Sequence, residues 1–302
     1  MCIFLAGGAA PGLKWGMKTS PTRCPYKACL QHAGASPKFF RKRGYFKPQC
    51  RSGPQARYQC KSCLRTFSNR TAADDARQRK PQINHLLALL IGSGVTLRRA
   101  AKILKCSYNT IASRQPMLAL RARLLHQAAL LDPANATSRI EFDEMETFEH
   151  SRHKNLTIAL AVRGKNGFVL SARAGRIPSS APNPKPGQAG YRWTANQSPQ
   201  ACKAALAEAG LAARAGVVVA FDGKTTYPGH AKAAIPGCVP LGAKSVSGTG
   251  VWDPIWKVNH ACARMRADLA CMARKTWSTT KKMARLQDRL DIWISVANGY
   301  AM

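Results

Sequence analysis

Apolar positions recur with two different periods along this chain, and the change of period marks its segments. From residue 81 to 130, Leu and Ala dominate at helical spacing. Leu86 to Gly94 reads as one helix ending at a glycine, and Thr96 is placed to N-cap a second, Leu97 to Leu104. The short turn Lys105-Cys106-Ser107 leads into a third helix from Tyr108 to Gln115, with Ser107 as its cap and Pro116 expected to limit it. Between 140 and 230 the period falls to two. Ile140 to Phe148 alternates as a strand, Leu156 to Val162 is a second, and Gly164-Lys165-Asn166-Gly167 turns tightly into a third, Phe168 to Arg173. A helix from about Pro199 to Ala213 precedes the apolar strand Val217 to Phe221, which ends at Asp222-Gly223. Residues 250 to 298 read as helical, and Pro178 to Pro199, with five prolines, reads as a loop. Residues 17 to 70 have little periodicity. The pattern predicts a multi-domain α+β chain: a leader over 1–16, a Cys-rich segment over 17–72, a helical segment over 81–130 and an α/β domain over 138–302.

Charge narrows the partners. The 302 residues carry 47 Lys and Arg against 14 Asp and Glu, a net charge of +33. Such self-repulsion calls for a polyanion, and nucleic acid fits because each neutralised phosphate releases counterions. An anionic membrane surface is the rival, but no stretch approaches the roughly 20 apolar residues of a spanning helix. The N-terminus, Met1-Cys2-Ile3-Phe4-Leu5-Ala6, has no basic region ahead of its apolar run, so no secretory signal is expected and Met17 is an alternative start. The expected setting is reducing and cytoplasmic.

The 11 cysteines are spaced for metal ligation rather than for bridges. Cys24-Pro25-Tyr26-Lys27-Ala28-Cys29 and Cys60-Lys61-Ser62-Cys63 form two pairs separated by thirty residues. Paired cysteines on two turns supply the four soft ligands of structural Zn²⁺. Phe39, Phe40, Tyr45 and Phe46 between them, with few aliphatics, suggest a hairpin-based zinc ribbon that folds around its metal. Cys50 and His32 are spare ligands.

Leu97, Ala100, Ala101, Leu104 and Ile111 have the spacing to pack two short helices across one turn, a helix-turn-helix. Arg98, Arg99, Tyr108, Asn109, Ser113 and Arg114 would then face outward toward a major groove. An ordinary helical hairpin with a solvated face is the plainer alternative.

The acids are distributed unevenly. Only Asp74, Asp75 and Asp132 precede Ile140, and then Glu141, Asp143, Glu144, Glu146 and Glu149 fall within nine residues. On a strand, Glu141, Asp143 and Met145 share one face, with Phe142, Glu144 and Glu146 on the other. A buried strand presenting an aspartate at its C-terminal end is a common way for an α/β fold to offer chemistry. Asp143 and Asp222 would sit side by side in an RNase H-like sheet, and two close carboxylates call for divalent cations. A pair of Mg²⁺ or Mn²⁺ ions about 4 Å apart would activate water and stabilise a leaving 3′ oxygen. Asn259, 37 residues beyond Asp222 at the opening of a basic helix, is the candidate third ligand through its amide oxygen, an ordinary helix-start asparagine being the equal alternative, with Asp253 as fallback. A solvated strand edge balancing local Lys and Arg is the alternative reading of the cluster.

At these residues the chain resembles a known family. Asp143-Glu144-Met145-Glu146-Thr147-Phe148, the Cys24-Pro25 start and Ala273-Arg274-Lys275-Thr276 are similar to the "insertion sequence one" transposases and their relatives, over roughly Cys24 to Asn298. The resemblance implies an RNase H-like catalytic domain with an acidic triad, acting with Mg²⁺ or Mn²⁺, and cleavage and joining of DNA at terminal inverted repeats. It makes Asp143 and Asp222 the catalytic aspartates. The family's glutamate falls at Asn259, a departure that related groups share in using Asn or His. Lys275, Thr276, Thr279, Thr280 and Lys281 would follow on the same helical stretch and contact target phosphates. The expected partners are duplex DNA, as inverted repeats and as target, and further copies of the chain in a dimer or larger assembly on the bacterial nucleoid. Two other functions remain open: a DNA-binding regulator whose domain lacks chemistry, and a zinc-stapled RNA-binding protein.

Overall fold

The computed structural model describes residues 20–48, 53–73, 75–76, 78–151, 153–179, 195–242, 253–273 and 276–300. The leader, Met17, Cys50, Lys275 and most of the Pro178–Pro199 loop lie outside the described residues. The chain divides into two compact units, Met1–Pro81 and Gln82–Met302, so the helical segment 81–130 belongs to the second.

The first unit contains α1 (Leu30–Ala33) and a three-stranded antiparallel sheet in the order β1 (Phe40–Phe46), β2 (Gln55–Cys60), β3 (Thr66–Phe67). Its core is Cys24, Cys29, Phe39, Cys60 and Phe67, with Tyr26, Phe40 and Tyr58 packed against them. Phe39 and Phe67 stack with centroids 6.1 Å apart. Aromatic rings and thiols replace the aliphatic core that so short a segment lacks.

The second unit opens with α2 (Asn84–Gly92), α3 (Leu97–Ile103) and α4 (Tyr108–Leu130). Thr96 caps α3 by accepting from Arg99 N–H, and Ser107 caps α4 by accepting from Thr110 N–H, as their positions predict. The helix α4 does not stop near Pro116. It runs 23 residues through it, because Leu118, Ala119, Ala122, His126 and Leu130 continue beyond the proline the buried face that Gln115 begins before it. Burial of that face outweighs the single hydrogen bond Pro116 cannot donate.

A five-stranded mixed sheet follows, in the order β6 (Val169–Arg176), β5 (Asn155–Arg163), β4 (Thr137–Phe148), β7 (Ala213–Phe221), β8 (Val239–Gly242). The first three strands are antiparallel neighbours; β7 runs parallel to β4, and β8 parallel to β7. The pleat sends Phe142 into a core shared with α5 (Ser198–Gly210) and α6 (Tyr227–Ala234). It sends Met145 into a core shared with α7 (Trp256–Asp268) and α8 (Met283–Ala297).

The helix α8 serves two layers. Leu286, Leu290, Trp293 and Ile294 face the sheet, while Ile292 joins Leu87, Ile91, Leu118 and Ala122 of the N-terminal helices. The approach of α2 to α8 is close enough that a Cβ at Gly92 would fall 2.7 Å from Val296 Cγ2. Buried Asp291 binds Arg123 of α4 (Nε, 3.1 Å) and Arg173 of β6 (Nη1, 3.4 Å). Arg173 in turn pairs with Glu208 of α5.

The stretch 250–298 is not helical throughout. Leu269 takes an extended conformation, and α8 does not begin until Met283. Thr276 Oγ1 donates to Ala270 C=O and accepts from Ser278 N–H, local bonds that compete with a helix. Thr276, Thr279, Thr280 and Lys281 therefore lie on a loop. Among the described residues no helix is long and apolar enough to cross a membrane.

Replacing Pro116 with Ala restores a donor to the Ala112 carbonyl within α4. The expected gain is about 1–3 kcal/mol, read from the urea unfolding midpoint. A loss of stability would show that ring packing at Pro116 matters more than the missing bond.

Candidate metal centres and catalytic cleft

Cys24, Cys29, Cys60 and Cys63 bring one sulfur each to a common point, all within 4.8 Å of one another. The Cys24–Cys63 and Cys29–Cys60 sulfurs are 3.8 and 3.7 Å apart. A tetrahedron with Zn–S bonds of about 2.3 Å has edges of about 3.8 Å, so the cluster could hold a zinc ion without rearrangement. Burial raises the Cys60 thiol, but backbone N–H groups of Cys63 and Ser62 and the neighbouring sulfurs outweigh it and bring it down to about 7. Burial pushes Cys24 up to about 12, so it needs a cation to exist as a thiolate. His32 is not in the set; its Nδ1 lies 2.7 Å from the Cys24 carbonyl oxygen.

On the helix-turn-helix, Arg98, Arg99, Tyr108, Asn109 and Ser113 are exposed. Arg98 sits over the Tyr108 ring with its guanidinium carbon 5.9 Å from the centroid. Arg114 does not face outward. It is 6 % exposed, and its Nη1 donates to Asn84 Oδ1 at 2.9 Å, tying α4 to α2. Helical phase places position 114 on the same side as Ile111 and Leu118, which the core occupies.

In the second unit the parallel register pairs Phe142 with Phe221, so the next residues, Asp143 and Asp222, emerge side by side. Asp143 Oδ1 accepts from Glu144 N–H (2.7 Å) and Asp222 Oδ1 from Lys224 N–H (3.2 Å). Neither carboxylate forms an ion pair among the described residues. Burial, then the charges of Asp222 and Glu144, raise Asp143 to about 6.

Behind this pair, on the opposite face of β4, stands Glu144, to which the sequence assigned a face but no role. Glu144 accepts from Thr157 (2.9 Å), Ser198 (2.7 Å) and Tyr227 (3.0 Å) and pairs with Lys224. Burial alone would raise it, but these bonds win and hold it down at about 2. The only sequence signals were its place beside Asp143 and the lysine two residues beyond Asp222. Glu141, on the Asp143 face, accepts from Lys257 and Val258 N–H (2.8 and 3.1 Å) at the start of α7, anchoring that helix beneath the cleft.

Asn259 lies on the exposed side of that same helical start, its Nδ2 donating to Asp253 Oδ2 at 2.8 Å. Cys262, one turn on, is buried and feels the charge of Asp143. Asn259 and Asp253 are thus brought to one another. Among the described residues, only the four cysteines gather three or more acidic, His or Cys ligand atoms. A cavity of about 350 Å³ with Lys224 and Lys232 in its wall opens at the carboxyl ends of β7 and β8, next to Asp222. Lys281 lies on the loop before α8, its Nζ donating to Thr279. No family model matches this chain, and no curated protein matches it significantly.

Two outcomes follow from these geometries. Zinc analysis should give one ion per chain, and chelation or Cys60→Ser should unfold the first unit while the second keeps its cooperative transition. Metal-free protein with unchanged near-ultraviolet circular dichroism would overturn the assignment. Secondly, folded Asp143 holds its proton up to about pH 6 against an ordinary 3.8, so its contribution falls as pH rises from 4 to 6. Asp143→Asn keeps the acceptor for Glu144 N–H and should be more stable than wild type by about 1–3 kcal/mol at pH 7.5 without divalent ions. That gap should close below about pH 4; a pH-independent gap would mean the carboxylate is not strained.

Proposed function

We propose that this chain is a DNA transposase whose second unit contains an RNase H-like catalytic domain. The observation that carries the reading is the Asp143–Asp222 pair, which no Lys or Arg among the described residues pairs with in a chain of 47 basic side chains. The sheet supports it: three antiparallel strands with the first at the centre, then two strands parallel to it, with helices on both faces. The exposed face of α3 and the start of α4 suits a major groove, Arg98 and Arg99 meeting phosphates while Tyr108, Asn109 and Ser113 reach base edges.

Asp143 and Asp222 fit divalent cations because burial and mutual repulsion already favour a positive partner. Mg²⁺ or Mn²⁺ bound there would supply charge neutralisation at the phosphate and a more acidic attacking water or hydroxyl. The protein's own part is to hold the two carboxylates on rigid strands and to orient the phosphodiester for in-line attack. Asn259, with its amide nitrogen engaged by Asp253, offers Oδ1 as a neutral third ligand. Lys224, Lys232 and Lys281 would meet phosphates along the strand. Hydrolysis frees a 3′-hydroxyl at the element's end, and that hydroxyl attacks target DNA in a second transfer. Two ends must be held at once, which calls for a dimer or larger assembly on DNA.

The neutral, exposed Asn259 favours one second reading, a DNA-binding regulator without chemistry. Supercoiled plasmid carrying the inverted repeats that flank the gene separates the two. With Mg²⁺ or Mn²⁺, wild type should nick it, and Asp143→Ala and Asp222→Ala should lose at least about 10³-fold in rate. Asn259→Ala should be slower too; an unchanged rate would move the third ligand to Asp253. Tight repeat binding with no nicking would establish the regulator instead.

A further inference from the structure

The outer face of the first unit's sheet lies away from the aromatic and thiol core, and Gln59 ties it to the second cysteine turn, its Nε2 donating to the Leu64 carbonyl at 2.7 Å. Register places Phe40, Tyr58, Cys60 and Phe67 on one face, where the core lies. The opposite face carries Arg41, Arg43 and Phe46 on β1 with Arg57 and Gln59 on β2. A bulge at Arg43-Gly44, where Gly44 takes φ +83°, keeps the faces consistent: two residues oppose one, and Tyr45 returns to the side of Lys42.

All three arginines are exposed, and none forms an ion pair among the described residues. Up to Pro81 the sequence contains two acids, Asp74 and Asp75, and Asp75 is already paired with Arg70. Arg41 Nε and Arg43 Nε both donate to the single oxygen Gln59 Oε1, at 2.8 and 2.9 Å. Arg57 is steadied over the Phe46 ring, its guanidinium carbon 5.3 Å from the centroid.

Folding therefore gathers like charges instead of dispersing them. One glutamine oxygen draws two guanidiniums together by their Nε atoms, and among the described residues no ion pair occupies their terminal nitrogen forks. Arrangement at Nε with free forks is the geometry for bidentate capture of phosphate oxygens.

We infer that the Arg41–Arg43–Arg57 face of the first unit is a phosphate-binding surface for duplex DNA, separate from the helix-turn-helix. This inference rests on the DNA-binding part of the proposed function and assigns a sequence-independent contribution to it. The base-edge contacts remain with α3 and α4.

The test uses full-length, zinc-loaded protein and fluorescence anisotropy on a random-sequence duplex across a range of KCl concentrations. The triple variant Arg41→Gln, Arg43→Gln, Arg57→Gln should lower the slope of log K against log [salt] by about 2–3 and weaken binding about 10- to 100-fold. The loss should be the same on random and inverted-repeat duplexes, and zinc content should stay at the wild-type value. Gln59→Glu, which keeps all three arginines and the Oε acceptor but adds a carboxylate between them, should keep zinc at the wild-type value and lose several-fold in affinity; unchanged affinity in that zinc-loaded variant counts against the face. An unchanged slope in the zinc-loaded triple variant overturns the inference while leaving the transposase reading intact. Wild type that binds structured RNA but no duplex overturns both.

Discussion

The central strand β4 must serve both faces of the sheet, and the second unit is arranged around that demand. Its pleat puts Phe142 and Glu144 toward α5 and α6 and Glu141, Asp143 and Met145 toward α7 and α8. Moving the register by one residue would exchange those sets, burying Glu141 and Asp143 among Tyr227 and Phe221 and leaving Glu144 without its four donors. Pairing with β5 on one side and β7 on the other makes that slip costly. The same strand then delivers Asp143 to the point where parallel β7 delivers Asp222.

Scarcity of acid sharpens the contrast between structural and chemical carboxylates. Glu141 anchors α7, and Glu149 Oε2 accepts from Met283 N–H at the start of α8. Asp268 accepts from the Trp293 indole, while Asp291 and Glu208 compensate Arg123 and Arg173 between layers. Glu144 is saturated. Each of these acids has a donor from another element, so removing it would strand a buried partner. Among the described residues, Asp143 and Asp222 accept from backbone N–H groups one and two residues away. No Lys or Arg among the described residues pairs with these two carboxylates, although the chain carries 33 surplus positive charges.

The first unit poses a related problem at smaller scale. Its interior gathers four sulfurs that need a cation, and its exterior gathers arginines that need an anion. Its aromatic contacts pack the space between the two, and no aliphatic layer is available to do so. Zinc inside and phosphate outside would satisfy both demands, and among the described residues no ion pair forms at those arginines.

Local physics made much of this readable from sequence alone. The CxxxxC and CxxC spacing, the caps at Thr96 and Ser107, and the alternation from Ile140 to Phe148 depend on neighbours only a few residues away, and the structure has each of them. The side-by-side aspartates were legible because the alternating strand from Ile140 carries Asp143 among its acids and the apolar strand Val217 to Phe221 ends at Asp222. Other features were decided by contacts remote in sequence. Pro116 is tolerated because α8, some 170 residues on, rewards a continuous α4, as the Gln115–Arg285 bond attests. Arg114 turned inward because Asn84 was waiting there, and Glu144 became a hub through Ser198, Lys224 and Tyr227. The break between α7 and α8 follows from hydroxyls that close on the backbone and from Thr280 bridging to Glu149. Periodicity and caps are short-range quantities and are written in the sequence; burial and charge compensation join distant residues, and only the folded chain determines them.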